Sequence, residues 1–142
     1  IQDSEIRIKS GRLRCAGPIC TSPYPGFPTD AQAPVMAAML KAAGTTFFTE
    51  NIFENRFRHV DELTRMGANI KVIGKAAIVT GVSKLNGAVT HATDLRGGAA
   101  LAIAAAGAVG ESKIENIHHI DRGYEKIEDS LSSIGVDIER KI

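Results

Sequence analysis

An internal repeat constrains this 142-residue chain more than any other feature. The segment IRIKSGRLRCAG from Ile6 to Gly17 has the same pattern as IKVIGKAAIVTG from Ile70 to Gly81, at an offset of 64 residues. The offset grows to 66 between Gly44 and Gly110, as small loop insertions would produce. Repeated units of this kind bury their apolar faces against their neighbours, so the chain is predicted to fold as stacked copies of one unit.

Each copy carries the same order of predicted elements: helix, strand, helix, strand, strand. These element predictions rest on alanine-rich stretches, on runs of β-branched and aromatic residues, and on apolar residues at helical spacing. Helices are predicted over Ala31–Ala43, His59–Met66, Leu95–Val109 and Tyr124–Ile134. Strands are predicted over Thr45–Ile52 and Ser112–Ile120, and a hairpin over Asn69–Ile73 and Ala77–Thr80 with its turn at Gly74-Lys75. Helix ends are predicted at Gly44, Gly67, Gly110 and Gly135.

These elements predict an α/β (α+β) fold in which residues 1–28 are the tail of one repeat. Residues 29–81 form a second repeat, and residues 82–142 form a third that stops where its hairpin would begin. Because a cut repeat cannot cover its own face, we expect an exposed apolar face or strand edge.

Composition excludes several function classes. The 17 Lys and Arg residues against 16 Asp and Glu leave a net charge of +1, which argues against nucleic acid or an anionic membrane as partner. The longest apolar run, Ala99 to Val109, is too short to cross a bilayer and predicts a buried helix. With no signal peptide, a cytoplasmic location is expected. Cys15 and Cys20 are then ordinary cytosolic thiols, with a redox pair as the alternative.

The histidines predict no metal site. His118 and His119 are predicted in a strand, where adjacent side chains point to opposite faces and cannot chelate one ion. His59 and His91 have no acidic residues at ligand spacing. Gly97 and Gly98 are interpreted as packing glycines, although backbone access to a ligand is the alternative.

Asp30 is the first candidate for chemistry. It follows PYPGFPT, in which prolines stiffen the approach to a helix start. A plain helix cap is one interpretation. A positioned general base is the other, because a rigid approach places a carboxylate reproducibly.

Three arginines are the second candidates. Arg56 and Arg122 occupy matching places after a strand, and Arg96 lies in the first turn of a helix, two residues past Asp94. A single arginine is normally a solvated surface residue. The recurrence of Arg56 and Arg122 at equivalent sites has two interpretations. Fold symmetry can reproduce a purely structural arginine, or the three arginines at ends of elements converge on one carboxylate or phosphate.

Four blocks carry a family resemblance: PYPGFPTDAQAPVMA, TENIFENRFRHVDELTRMGA, ATDLRGGAALAIAA and HIDRGYEKIEDSLSSIGVDI. Together they resemble the C-terminal third of the UDP-N-acetylglucosamine 1-carboxyvinyltransferases, bacterial enolpyruvyl transferases of the cytoplasm. The resemblance implies βαβαββ units, about two of the three that make one domain. It also implies transfer of enolpyruvate from phosphoenolpyruvate to the sugar 3'-hydroxyl through a tetrahedral intermediate, without metal or organic cofactor. This is a step of peptidoglycan biosynthesis, and hence of cell-wall biogenesis, cell shape and cell division.

The resemblance also implies residue roles. Asp30 is similar to the carboxylate that contacts the sugar hydroxyl and acts as base, and the Ile52 position contacts the UDP-sugar through its backbone. Arg122 is similar to an arginine that grips phosphoenolpyruvate, and Arg56 and Arg96 to others that line its anionic groups. Asp94, the third residue implied in catalysis beside Asp30 and Arg122, has a supporting or proton-handling role.

The family's catalytic cysteine lies on a loop of the other domain, which Cys15 and Cys20 do not match. The isolated chain is therefore expected to be inactive and to need the N-terminal part of the same enzyme. Two alternatives stay open: a non-catalytic module that forms a homo-oligomer through its cut edges, and a fragment of the related 5-enolpyruvylshikimate-3-phosphate synthase.

Overall fold

A computed structural model describes residues 7, 9 and 11–141. The start of the predicted first segment, residues 1–6, 8 and 10, and the last residue lie outside this part of the chain. The strands are β1 (Ile19–Cys20), β2 (Thr45–Thr49), β3 (Asn69–Ile73), β4 (Ala76–Thr80), β5 (Val89–His91) and β6 (Lys113–Glu115). The helices are α1 (Thr29–Met39), α2 (Val60–Arg65), α3 (Leu95–Ala106), α4 (His118–Asp121) and α5 (Ile127–Ser133).

The strands form two sheets. The larger has the order β1-β2-β4-β3, with β1 parallel to β2 and the other pairs antiparallel. The smaller consists of β5 and β6, which are parallel. At the edge of the larger sheet, Val72 and Ile73 of β3 are 41% and 57% exposed. The α/β (α+β) class predicted from the sequence is confirmed. The exposed edge strand β3 belongs to the second repeat and not to the cut third one, so the edge expected from the cut stays a prediction.

The repeat is visible in matching hydrogen bonds. Thr21 donates its amide to the carbonyl of Thr49 at 2.9 Å, and Ala92 donates to Glu115 at the same distance. In each unit one strand therefore precedes a long helix, and the parallel partner of that strand follows the helix. The loop between the first strand and that helix is longer in the first unit, where it contains the PYPGFP segment.

The core lies between α1, α3 and the larger sheet. It contains Met36 and Leu40 beside Phe48 of β2, all fully buried. Helix α3 buries most of its length, which confirms the buried helix expected from its alanine-rich sequence. A Cβ added at Gly98 would lie 2.5 Å from Ile120 Cγ1, so this glycine permits the close approach of α4. The packing interpretation of Gly98 is therefore confirmed.

Two predicted strands are shorter than expected. The first ends at Thr49 rather than Ile52, because the Glu50 carboxylate accepts hydrogen bonds from the next turn. The second ends at Glu115 rather than Ile120, where Asn116 takes a left-handed φ of 59°.

The predicted strand placement of His118 and His119 is wrong. Both lie in α4, and their ring centroids are only 4.1 Å apart. The expectation that they point to opposite faces of a strand therefore fails. No group of three or more metal-ligating side chains occurs among residues 7, 9 and 11–141.

The helix ends differ in detail from the predictions. Gly67 and Gly135 directly follow the C-caps of α2 and α5 with φ of 92° and 94°, as expected of helix-ending glycines. Gly44 and Gly110 also have positive φ, but α1 and α3 have already ended by then, at Met39 and Ala106. They shape the turns into β2 and β6 instead. In the part of the chain that is described, no helix has the length and apolar character needed to cross a membrane.

Candidate functional site

Asp30 lies in the first turn of α1 with its side chain 60% exposed. The N-cap of this helix is Pro28, and no side chain caps it, so the cap interpretation of Asp30 is wrong. Its carboxylate instead faces two cations. Arg96 Nε lies 2.8 Å from Asp30 Oδ1, and an Arg56 terminal nitrogen lies 3.8 Å from the same oxygen.

Arg96 is held in place by its own helix start. Asp94 is the N-cap of α3, and its Oδ1 accepts hydrogen bonds from the backbone amides of Arg96 at 3.0 Å and Gly97 at 2.9 Å. Burial raises the pKa of Asp94. These amides, the Thr93 hydroxyl and nearby His59 lower it by more than burial raises it, so the net shift of the pKa is downward. Asp94 is therefore a charged cap that orients Arg96.

The hydrogen bond to Asp30 raises the pKa of Arg96. Nε of Arg96 lies 2.8 Å from Asp30 Oδ1, and a guanidinium carries five N–H donors in a planar fork. Donors of Arg96 that do not contact Asp30 can therefore bind an external carboxylate or phosphate bidentately.

Arg56 comes from the loop after β2. Its guanidinium carbon lies 4.5 Å above the centre of the Phe53 ring, a cation–π contact that fixes its direction. Asn55, just before it, has a left-handed φ of 54°. Two arginines from different repeats thus meet at the Asp30 carboxylate, whereas their predicted convergence on an external anion stays a prediction.

Arg122 is not part of this group. It is the exposed C-cap of α4 and forms no ion pair with any other described residue. The turn that carries it nevertheless packs on the start of α3, since a Cβ added at Gly123 would lie 2.6 Å from Leu95 Cδ2. Arg122 therefore lies on a turn next to the helix start that carries Arg96, and its convergence on the same anion stays a prediction.

Glu50 was not identified from the sequence. Its side chain is buried, at 2% exposure, and accepts four hydrogen bonds. The donors are the Thr21 and Thr29 hydroxyls and the backbone amides of Ile52 and Phe53. Burial raises the pKa of Glu50, and the four donors together outweigh that effect and lower it. The available sequence signal is an acidic residue placed directly after a buried strand.

Ile52 is 37% exposed, and its amide is bonded to Glu50 at 2.8 Å. The amide is therefore engaged inside the protein. The carbonyl oxygen is the backbone group of Ile52 that can accept a hydrogen bond from a ligand.

A cavity of about 420 Å³ lies between the loop after β2 and the turn of the β3–β4 hairpin. It is lined by Glu50, residues 53–58, Val72, Gly74 and Lys75. Arg56 therefore lines this cavity and also faces the Asp30 carboxylate, which is not part of the lining.

His59 is buried behind the site, at 1% exposure, and neither ring nitrogen has a hydrogen-bond partner among the described residues. Burial lowers its pKa to about 4, with the charge of Asp94 opposing part of the shift. The imidazole is thus neutral and enclosed, and it cannot reach a ligand at the surface.

The fold and this surface together define a class: α/β proteins built from repeated units, with a carboxylate and two arginines paired on one surface. Residues 3–131 match the family model described as EPSP synthase (3-phosphoshikimate 1-carboxyvinyltransferase). The chain belongs to this family. Among solved structures it is similar to the enolpyruvyl transferase NikO from Streptomyces tendae, with a TM-score of 0.80 and 29% identity over 88% of this chain and 29% of that one. An EPSP synthase from Acinetobacter baumannii shares the fold, with a TM-score of 0.65 and 17% identity over 79% of this chain and 27% of that one.

The similar curated proteins are UDP-N-acetylglucosamine 1-carboxyvinyltransferases. One from Caldanaerobacter subterraneus is 53% identical over 96% of this chain and 33% of the relative. One from Zymomonas mobilis is 49% identical over 99% of this chain and 33% of the relative. One from Paramagnetospirillum magneticum is 55% identical over 95% of this chain and 32% of the relative. The chain therefore spans about a third of the length of these relatives.

Proposed function

We propose that this chain forms one wall of the active site of an enolpyruvyl transferase. In this proposal the whole enzyme transfers the enolpyruvyl group of phosphoenolpyruvate to the 3'-hydroxyl of UDP-N-acetylglucosamine. The observation that carries it is the Asp30 carboxylate shared by Arg56 and Arg96, on a chain about half identical to proteins with that activity in their names.

The proposed chemistry follows from charge and placement. Asp30 accepts the proton of the sugar 3'-hydroxyl while the sugar oxygen bonds to C2 of phosphoenolpyruvate. At the same time the methylene carbon of phosphoenolpyruvate gains a proton. The product is a tetrahedral adduct. Loss of phosphate from C2 and of a proton from the methyl group then restores the double bond. The proton donor for the methylene carbon belongs to the rest of the enzyme.

Arg56, Arg96 and Arg122 are proposed to hold the carboxylate and phosphate of phosphoenolpyruvate. Guanidinium groups suit this role because they bind such groups bidentately and stay charged throughout the reaction. In this scheme Asp94 has the supporting role rather than the proton-handling one, because its lowered pKa and its cap hydrogen bonds keep it an acceptor. Ile52 is proposed to accept a hydrogen bond from the UDP-sugar at its carbonyl.

The test uses the full-length enzyme that contains this chain. Phosphate release is measured with phosphoenolpyruvate and UDP-N-acetylglucosamine, and separately with shikimate 3-phosphate as acceptor. Turnover that depends on the UDP-sugar is expected. Turnover with shikimate 3-phosphate alone, or none with either acceptor, would overturn the proposal.

A further inference from the structure

We infer that Glu50 is a positioning residue for the acceptor half of the site, an inference that rests on the function proposed above. Its buried carboxylate joins three segments that are distant in sequence: the end of β1, the start of α1 and the turn after β2. The start of α1 carries Asp30, and the turn after β2 carries Ile52. One side chain thus sets the separation between the proposed base and the backbone that would contact the sugar nucleotide.

The two carboxylate oxygens have different partners. Oε1 accepts from Thr21 Oγ1 at 2.9 Å, Ile52 N at 2.8 Å and Phe53 N at 3.1 Å. Oε2 accepts from Thr29 Oγ1 at 2.9 Å. Thr29 directly precedes Asp30, so Oε2 holds the segment that carries the proposed base. Oε1 holds the turn after β2.

The choice of a charged residue at this place needs a reason, because burying an unpaired charge is costly. Glu50 forms no ion pair with the described residues, and all four of its partners are neutral donors. A carboxylate offers about four acceptor sites, whereas a glutamine amide offers two and adds two donors. The arrangement of four donors around Glu50 therefore specifies a carboxylate and excludes a neutral amide of the same shape.

Part of the donor half of the site is anchored independently of Glu50, although Arg56 stacks on Phe53, whose backbone amide donates a hydrogen bond to Glu50. Arg96 is held by the Asp94 cap, which does not involve Glu50. Disturbing Glu50 should therefore affect the acceptor more than phosphoenolpyruvate. This separation distinguishes positioning from a general loss of stability.

The experiment compares three variants of the full-length enzyme with wild type. Glu50→Gln keeps the shape and removes the second acceptor oxygen, and Thr29→Val removes only the donor to it. Glu62→Gln is the matched control, because Glu62 is also buried, at 8% exposure, and accepts the His91 amide at 2.9 Å. The measurements are both KM values, kcat and the melting temperature.

Glu50→Gln is expected to raise the KM for UDP-N-acetylglucosamine about tenfold, the size of one lost hydrogen bond to a charged group. Thr29→Val is expected to raise it about threefold, because a single neutral donor is removed. The KM for phosphoenolpyruvate should stay within about twofold in Thr29→Val, and in Glu50→Gln it should rise by less than the KM for UDP-N-acetylglucosamine, because Arg96 keeps its own anchor. Glu62→Gln should lower only the melting temperature.

Two outcomes would overturn parts of this scheme, and they differ. If wild type turns over while Glu50→Gln and Glu62→Gln lose stability alike with both KM values unchanged, the positioning role is wrong and the proposed function stands. If wild type does not use the UDP-sugar, the proposed function itself fails. Should Glu50→Gln not fold, Thr29→Val decides, and an unchanged KM for the UDP-sugar in that variant refutes the positioning role.

Discussion

Asp30 combines strong contacts with an exposed position. Its Oδ1 meets Arg96 at 2.8 Å and Arg56 at 3.8 Å, yet its side chain is 60% exposed. Ion pairs this open to water contribute at most about 1 kcal/mol to the free energy of unfolding. The contacts therefore matter more for orienting the carboxylate than for holding the fold together.

Asp30→Asn is consequently expected to separate activity from stability. In the full-length enzyme, kcat should fall at least about a hundredfold, as for loss of a general base, while the melting temperature moves by no more than about 2 °C. Asp129→Asn is the control, because Asp129 is similarly exposed and, within the described part of the chain, its carboxylate forms an ion pair only with Lys126, across 3.9 Å. A kcat near the wild-type value would contradict the role of Asp30 as base.

His59 predicts a dependence of stability on pH. Its pKa is lowered from 6.5 to about 4 by burial, so the unfolded chain takes up a proton as the pH falls below 6.5 and the folded chain does not. The folded state therefore has its full stability above pH 6.5 and loses it on acidification. Between pH 7 and pH 5 the loss should be about 2 kcal/mol in the free energy of unfolding.

Urea unfolding at the two pH values, for wild type and His59→Leu, measures this loss. The carboxylates of Glu50 and Asp94 interfere little, since their pKa values are lowered from 4.5 and 3.8 and they titrate below this interval. The variant should lose much less stability than wild type between pH 7 and pH 5. Equal losses in both proteins would show that another group is responsible.

At the scale of elements, the contact between α3 and α4 depends on a missing side chain. A Cβ at Gly98 would lie 2.5 Å from Cγ1 of Ile120, which is 2% exposed and cannot swing away. Alanine favours helices over glycine by about 1 kcal/mol, but overpacking of a core costs about 1–3 kcal/mol. Gly98→Ala should therefore destabilise the protein, despite the better helix propensity.

Two further variants test the cause by chemical denaturation. Gly107→Ala, at the C-cap of α3, has its nearest neighbour at 3.6 Å and should be close to neutral. In a double-mutant cycle, Ile120→Ala should cost less in the Gly98→Ala background than alone, because it removes the clashing atom. Additive effects would show that the two residues do not collide.

The elements also show what the sequence could predict. Helices α1 and α3 were predicted because alanine-rich runs specify them locally. Strands β1 and β5 were missed because they have only two and three residues, and their pairing partners lie more than twenty residues away. His118 and His119 were misplaced because the β-branched residues of Ser112–Ile120 indicate one continuous strand, which the left-handed turn at Asn116 interrupts after Glu115.

The candidate site also contains residues that the sequence could suggest and one that it could not. Asp30, Arg56 and Arg96 could be suggested from motifs and repeat positions, whereas Glu50 could not. Thr21 and Thr29, two of its four partners, lie 29 and 21 residues away. A buried carboxylate satisfied by such distant donors is visible only when the fold brings them together.

At the scale of the whole molecule, the openness of the site limits what the chain can do alone. Asp30 and its arginines lie on one surface of a chain that spans about a third of its relatives' length. Exclusion of water strengthens electrostatic interactions in an active site, and a single wall cannot enclose both substrates. The side chains of Arg56 and Arg96 are 20% and 28% exposed, and solvent at their exposed atoms screens their attraction for an anion.

The isolated 142-residue chain is therefore expected to release no phosphate from phosphoenolpyruvate and UDP-N-acetylglucosamine, even at high protein concentration. Weak binding of the UDP-sugar should remain, because Asp30, Ile52 and their common anchor Glu50 all belong to this chain. Phosphate release measures the first expectation, and calorimetric titration measures the second, with Asp30→Ala as the variant that weakens binding. Light scattering on the same sample reports whether copies of the chain associate at all. Turnover within about tenfold of the full-length enzyme would mean that one wall suffices for catalysis, which contradicts the requirement for enclosure.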